Sequence, residues 1–247
     1  MTVTSEKDLI ALLRIGKIVG LTLQHMLQQV EPGMTTRELD KIGAAFLKEH
    51  GARSAPILAY DYPGHTCISI NDEAAHGVPG DRVIQPGDLV NVDVSAELDG
   101  YWADTGATLP VPPVTPEMEN LCAVARRALD EAIKVARAGQ PINRVGKVVE
   151  KLARRNGYTT FHELGGHGVG RHIHEKPSVP NDYRKRLRDR FEEGMVLTIE
   201  PFINNGKGRI YTAGDKWTLK TVDGSLSAQY EHTVVITRDE PILVTAV

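Results

Sequence analysis

The chain has 247 residues, with 29 Lys and Arg against 32 Asp and Glu, a formal net charge of −3. Its apolar share of 41% and charged share of 25% are ordinary globular values, which excludes a disordered chain, and the charge balance gives no reason to expect a nucleic-acid binder. Two cysteines exclude a disulfide framework; with no signal-peptide pattern near Met1 and no apolar run of bilayer-spanning length, the expectation is a cytoplasmic protein with no membrane partner.

Ser5, with Asp8 three residues on, opens a helix whose apolar positions are Leu9, Leu12, Ile15, Val19, Leu23, Met26 and Val30. Pro32-Gly33 ends it. Thr35 and Glu38 form a capping box for a second helix with apolar Leu39, Ile42, Phe46 and Leu47, closed by Gly51. Further on, Thr115-Pro116 starts a helix carrying Met118, Leu121, Ala125, Leu129 and Ile133, and Gly139 stops it. A fourth helix carries Val145, Val148 and Leu152 and ends at Gly157.

The two helix pairs overlay at an offset of 106 residues, Gly33 on Gly139 and Gly51 on Gly157. At an offset of 107, Gly87-Asp-Leu-Val-Asn-Val-Asp93 overlays Gly194-Met-Val-Leu-Thr-Ile-Glu200, so each half sets a carboxylate six residues after a glycine on an apolar strand. Two related α+β halves, about 1–114 and 115–247, are therefore predicted to form one domain with a site at their junction. The stiff Val111–Pro116 stretch would connect them.

Val90, Val92 and Val94 alternate with Asn91, Asp93 and Ser95, which puts Asp93 on the polar face of a strand. Asp99-Gly100 is a two-residue hairpin signal; with no bulge it pairs Ser95 with Asp104 and Asp93 with Gly106. Asp93 and Asp104 then become diagonal neighbours, about 7–8 Å apart by Cα. One hairpin alone reads first as a solvent-exposed acidic pair. Glu200 leaves an apolar strand and Glu231 sits within another, however, and four acids that converge need cations. His167, between glycines in Gly165-Gly-His-Gly-Val-Gly170, can approach a buried centre closely; a structural role fits it equally well. His76, in a turn-rich loop, reads by itself as a surface histidine.

Ser69-Ile-Asn71, His76-Gly-Val-Pro79, Val90-Asn-Val-Asp93, Asp104-Thr, Gly166-His-Gly-Val-Gly170 with His174-Glu-Lys-Pro177, Thr198-Ile-Glu-Pro201 and Ser227-Ala-Gln-Tyr-Glu-His-Thr233 together resemble the type I methionine aminopeptidases over nearly the whole chain. The resemblance implies an α+β pita-bread fold, two pseudo-symmetric α/β halves with antiparallel sheet around a dinuclear metal site, in a single catalytic domain over 1–247. It implies Asp93, Asp104, His167, Glu200 and Glu231 as ligands to two divalent metal ions, cobalt, manganese or iron, with zinc compatible. It implies catalytic roles for Glu200 as proton acceptor, for His174 at the scissile carbonyl oxygen and for His76 at the scissile nitrogen. Tyr60, Tyr62, Cys67, Ile173 and Trp217 are the implied methionine pocket, although ordinary core packing describes each as well.

The implied substrates are the N-termini of nascent polypeptides with a small, uncharged second residue, and the implied state is a monomer. The sequence departs from the family's common pattern at Ala59–Pro63, one residue short, and at Ile173, where many relatives have phenylalanine. The short stretch between Glu200 and Glu231 argues against type II. The basic run Arg184–Arg190 reads as a solvated loop first and as a contact with ribosomal RNA second. Two other readings are an X-Pro aminopeptidase or prolidase of the same fold, and a metal-free binding module.

Overall fold

The computed structural model describes residues 1–247. In chain order come helices α1 (Glu6–Gln29) and α2 (Thr36–Glu49), strand β1 (Arg53–Ser54), helix α3 (Ala55–Tyr60), and strands β2 (Cys67–Ile70), β3 (Glu73–Ala75), β4 (Leu89–Leu98) and β5 (Tyr101–Pro110). Helices α4 (Pro116–Val135) and α5 (Asn143–Arg155) follow, then β6 (Thr159–Thr160), β7 (Gly165–Gly168), β8 (Glu175–Pro180), β9 (Val196–Ile199) and β10 (Phe202–Asn204). The last strands are β11 (Ile210–Thr212), β12 (Leu219–Thr221), β13 (Ser227–Gln229), β14 (His232–Val235) and β15 (Ile242–Leu243).

The helix starts follow their caps. Ser5 accepts the Asp8 amide at 3.2 Å. Thr35 and Glu38 close the reciprocal box, 2.7 Å from the Thr35 amide to Glu38 Oε2. Thr115 accepts the Met118 amide ahead of Pro116. The glycines matched between halves share one backbone state: φ is +98° and +81° at Gly33 and Gly139, +74° and +78° at Gly51 and Gly157, +85° and +82° at Gly87 and Gly194.

Two expectations need correction. The buried stripe of α5 is Val145, Val149 and Ala153, with Val148 and Leu152 only half-buried. The same stripe, Leu39, Gly43 and Leu47, is buried in α2, so the two helices do correspond, through positions i, i+4 and i+8. The second correction concerns α1, which at 24 residues is long and apolar enough by length and composition to cross a membrane. Half of that apolar window is buried inside the protein, where Leu12, Ile15, Val19 and Met26 pack in the core beneath β4 and β5.

Two sheets position the site. In the first, β4 pairs with β5 along one edge and with β1 and β2 along the other. In the second the order is β15-β14-β9-β7-β8. Two small sheets, β13-β10-β6 and β11-β12-β3, flank them. The hairpin register is the one the sequence predicts: Ser95 faces Asp104 and Asp93 faces Gly106, with no bulge. Asp99 and Gly100 both have positive φ, +54° and +80°, as a type I′ turn requires. Thr233 ties the sheets together, its hydroxyl accepting the Asp104 amide at 3.0 Å and donating to the Asp104 carbonyl at 2.8 Å.

Candidate metal centre

Asp93 leaves β4 and Asp104 leaves β5 on the same face of the hairpin. In the second sheet, His232 faces Ile199, and that register continued one step sets Glu231 opposite Glu200. The Glu231 amide donates to the Gly106 carbonyl at 2.9 Å, which brings this end of the second sheet onto the hairpin. His167 on β7 completes the cluster. A Cβ on Gly166 would lie 2.2 Å from the Thr198 carbonyl oxygen and one on Gly168 2.3 Å from that of Lys176. Only glycine permits this approach, and it is what brings His167 to the acids.

His167 Nδ1 lies 3.0 Å from the Gly168 carbonyl. A carbonyl only accepts, so Nδ1 carries the proton and Nε2 presents a bare lone pair. That Nε2 is 3.4 Å from Glu200 Oε1 and 3.8 Å from Asp104 Oδ2. One ligand atom each from Asp104, His167 and Glu231 lies within 4.8 Å of the others. Asp104 Oδ1 and Glu231 Oε1 are buried without any hydrogen-bond partner. Unpartnered carboxylate oxygens in the interior are costly, and a divalent cation is the group that satisfies them, so the residues present fit a metal.

The electrostatics agree. Burial first, then neighbouring acids, push Asp104, Glu200 and Glu231 well above the ordinary carboxylate range. Burial raises Asp93 to about 6. Burial, reinforced by His174, lowers His167 to about 3, which keeps it a neutral ligand.

Asp93, Asp104, His167 and Glu200 line a cavity of about 800 Å³. Every residue the sequence proposed for the pocket lines it: Tyr60, Tyr62, Cys67, Ile173 and Trp217, with His76 and His174. Tyr62 is buried, donates to the Gly77 carbonyl at 2.7 Å and meets Trp217 edge-on at 5.2 Å between centroids. Tyr60 stands at the mouth, 46% exposed, with its hydroxyl 2.5 Å from His174 Nδ1. The His174 ring leans on His167, centroids 4.2 Å apart. His76 faces the cavity on a left-handed residue, φ +54°, and desolvation followed by the nearby His174 lowers its pKa to about 4. Cys122 is on the buried face of α4, away from the cavity lining.

Sequence reasoning missed the side chains that hold these acids and His167. Thr198 accepts the His167 amide and donates to Glu200 Oε1, both at 3.0 Å. Gln229 donates to Glu231 Oε2 at 2.9 Å and accepts from Asn91 at 2.8 Å. Thr198, Gln229 and Asn91 each precede an acid by two residues. Period two puts them on the face of the acids they precede, and that signal was available.

Convergent carboxylates, one imidazole with a bare nitrogen and a cavity over them define a metal-dependent hydrolytic site. The chain belongs to metallopeptidase family M24, whose model matches residues 11–238. It is 45% identical over 247 residues to methionine aminopeptidase 2 of Bacillus subtilis, covering 99% of both chains. It is 43% identical over 249 residues to a methionine aminopeptidase of Staphylococcus epidermidis, covering 100% of this chain and 99% of that one. The crystal structure of methionine aminopeptidase from Rickettsia prowazekii superposes with a TM-score of 0.95 at 36% identity, covering 100% of both chains. The fold is the pita-bread arrangement of this family.

Proposed function

We propose that the chain removes N-terminal methionine from nascent polypeptides whose second residue is small and uncharged. The observation that carries this reading is the buried Asp104–His167–Glu231 cluster with two unpartnered carboxylate oxygens, beside an aromatic and aliphatic wall. The family and its methionine aminopeptidase relatives support it.

Asp93, Asp104, His167, Glu200 and Glu231 would hold two divalent ions. Bound there, such ions supply Lewis acidity and lower the pKa of a water molecule. Donors this rich in oxygen suit manganese, iron or cobalt, and zinc is compatible. Glu200, as the carboxylate, would take the proton from the attacking water, and its burial raises its affinity for that proton. His174 hydrogen-bonds the scissile carbonyl oxygen, and His76 stands by the scissile nitrogen to assist the leaving amine. Tyr62, Cys67, Ile173 and Trp217, with Tyr60 at the mouth, receive the methionine side chain, a thioether that favours aromatic contact.

The setting is the cytoplasm, and the chain acts as a monomer. Residues 143–155 and 181–190 carry ten Lys and Arg against three Asp and Glu, although the whole chain is acidic. The Ile142 amide donates to the Asp189 carbonyl, which lays the two segments together. This face is solvated, and ribosomal RNA phosphates are the partner it fits.

The test is metal-reloaded enzyme with an equal mixture of Met-Ala-Ser, Met-Lys-Ser and Ala-Pro-Ser peptides, read by mass spectrometry. Loss of methionine from Met-Ala-Ser alone is the expected result. Cleavage of Ala-Pro-Ser instead would assign the chain to the proline-specific members of the fold. No cleavage with any metal would leave a binding module.

A further inference from the structure

The side chains around His174 point to a role for Tyr60 that a methionine pocket does not require. We propose that Tyr60 is a positioning residue: its hydroxyl donates to His174 Nδ1, which fixes the proton of His174 on Nε2 and aims that N–H into the cavity's reacting region. The proposal rests on the assignment of His174 to the scissile carbonyl.

The geometry is direct. Tyr60 Oη and His174 Nδ1 are 2.5 Å apart, and Nδ1 has no other partner. A phenol is a better donor than acceptor, and an imidazole nitrogen that accepts must be bare. Nε2 is then the protonated nitrogen. A group that hydrogen-bonds a carbonyl oxygen as charge develops there must be a donor, so this tautomer is the useful one. The assignment is one of tautomer in the neutral ring: an imidazolium would carry a proton on Nδ1 as well and could not accept from Tyr60. Burial raises the Tyr60 pKa, so the hydroxyl keeps its proton.

His167 provides the contrast. Two rings with centroids 4.2 Å apart take opposite tautomers, each set by what Nδ1 meets. A carbonyl acceptor at His167 leaves Nε2 bare for a metal, and a hydroxyl donor at His174 leaves Nε2–H for the substrate. Tyr60 is the last residue of α3, in the first half of the chain, and Asp61 after it turns the backbone through a left-handed φ of +53°. The hydrogen bond therefore spans the cavity mouth between residues 114 apart in sequence.

The test is Tyr60→Phe, which keeps the ring and removes the hydroxyl. Long-range ¹H–¹⁵N NMR on the metal-free protein reads the His174 tautomer without any turnover. The expected result is Nε2–H in the parent and a mixture of tautomers in the variant. In metal-loaded enzyme kcat is expected to fall about tenfold with KM little changed, less than the ~100–1,000-fold loss typical of removing an oxyanion donor outright. In a His174→Ala background the same Tyr60→Phe change is expected to have no further effect. Nδ1–H in the parent, or the same fold-loss in both backgrounds, would overturn the proposal. An absence of peptidase activity with the NMR result intact would remove only the functional reading.

Discussion

At the scale of single residues, the proposed metal ligands are only as good as the donors that orient them. Gln229 is 1% exposed and fixes Glu231 Oε2, which leaves Oε1 free inside the cluster. Asn91 in turn fixes the Gln229 carbonyl. Gln229→Leu removes the donor and leaves the Asn91 amide with a lost partner. Metal affinity is expected to fall about 10–100-fold, the range found for outer-shell partners of metal ligands, and calorimetric titration of manganese into stripped protein measures it. Gln229→Glu is expected to weaken binding too, because a second carboxylate cannot donate without taking up a proton. An unchanged affinity in both variants would show that Glu231 is oriented by its strand alone.

Elements show a different set of constraints. Helix α5 meets the chain after β8 at Gly146, where a Cβ would come 2.1 Å from the Asp182 carbonyl oxygen and 2.8 Å from that of Pro180. Alanine is the better helix former by about 0.5–1 kcal/mol, yet the added methyl strikes backbone that cannot rotate away. Gly146→Ala is therefore expected to destabilise by about 1–3 kcal/mol in a denaturant titration. The start of α1 is held by Asp8, which accepts from Tyr101 at 2.9 Å and from Ser5 at 2.9 Å and pairs with Arg171 at 2.9 Å. The hydrogen bonds from Tyr101 and then Ser5 lower its pKa to about 2. A depressed acid contributes its stability above the unfolded value of about 3.9 and loses it as pH falls through the folded value. Asp8→Asn is expected to flatten the loss of stability between about pH 4 and pH 2, read by urea titration across that window.

The elements also show why some features were legible in the sequence and others were not. The hairpin was legible to the residue, because Asp99-Gly100 fixes the turn and alternation fixes the face. Ser5, Thr35 and Thr115 marked helix starts because a cap is a local bond. The α5 stripe was displaced by one residue because Gly146 carries no apolar signal, although its closeness to Asp182 helps set which side is buried. The Asp8–Arg171–Tyr101 contact joins residues 163 and 93 positions from Asp8, and no local pattern encodes such a meeting. The five proposed metal ligands came from family motifs. Strand alternation alone supplied their faces, and it left open whether those faces met.

For the whole molecule, the site is an electrostatic liability until it is filled. Burial raises all four carboxylates, Asp93 to about 6, and repulsion from neighbouring acids adds to it at Asp104, Glu200 and Glu231. Between the unfolded values near 4 and these raised values the folded chain holds more protons than the unfolded one. Stability of the metal-stripped protein therefore falls as pH rises through that window. A calorimetric series is expected to show a lower melting temperature at pH 7 than at pH 5 after chelation. Manganese is expected to raise it more at pH 7, where fewer protons must be displaced from the acids than at pH 5. A melting temperature that rises with pH in the stripped protein would mean that the acids do not converge in solution.

The bulge-free hairpin also bears on how such a chain can change length. Asp93 and Asp104 share a face only because the residues between them are paired through a two-residue turn. One residue gained or lost within 94–103 would move one acid to the opposite face and with it dismantle the centre. Two residues, one added to each strand, would restore the face and merely lengthen the ribbon. Insertions and deletions in this stretch should therefore survive selection in even steps.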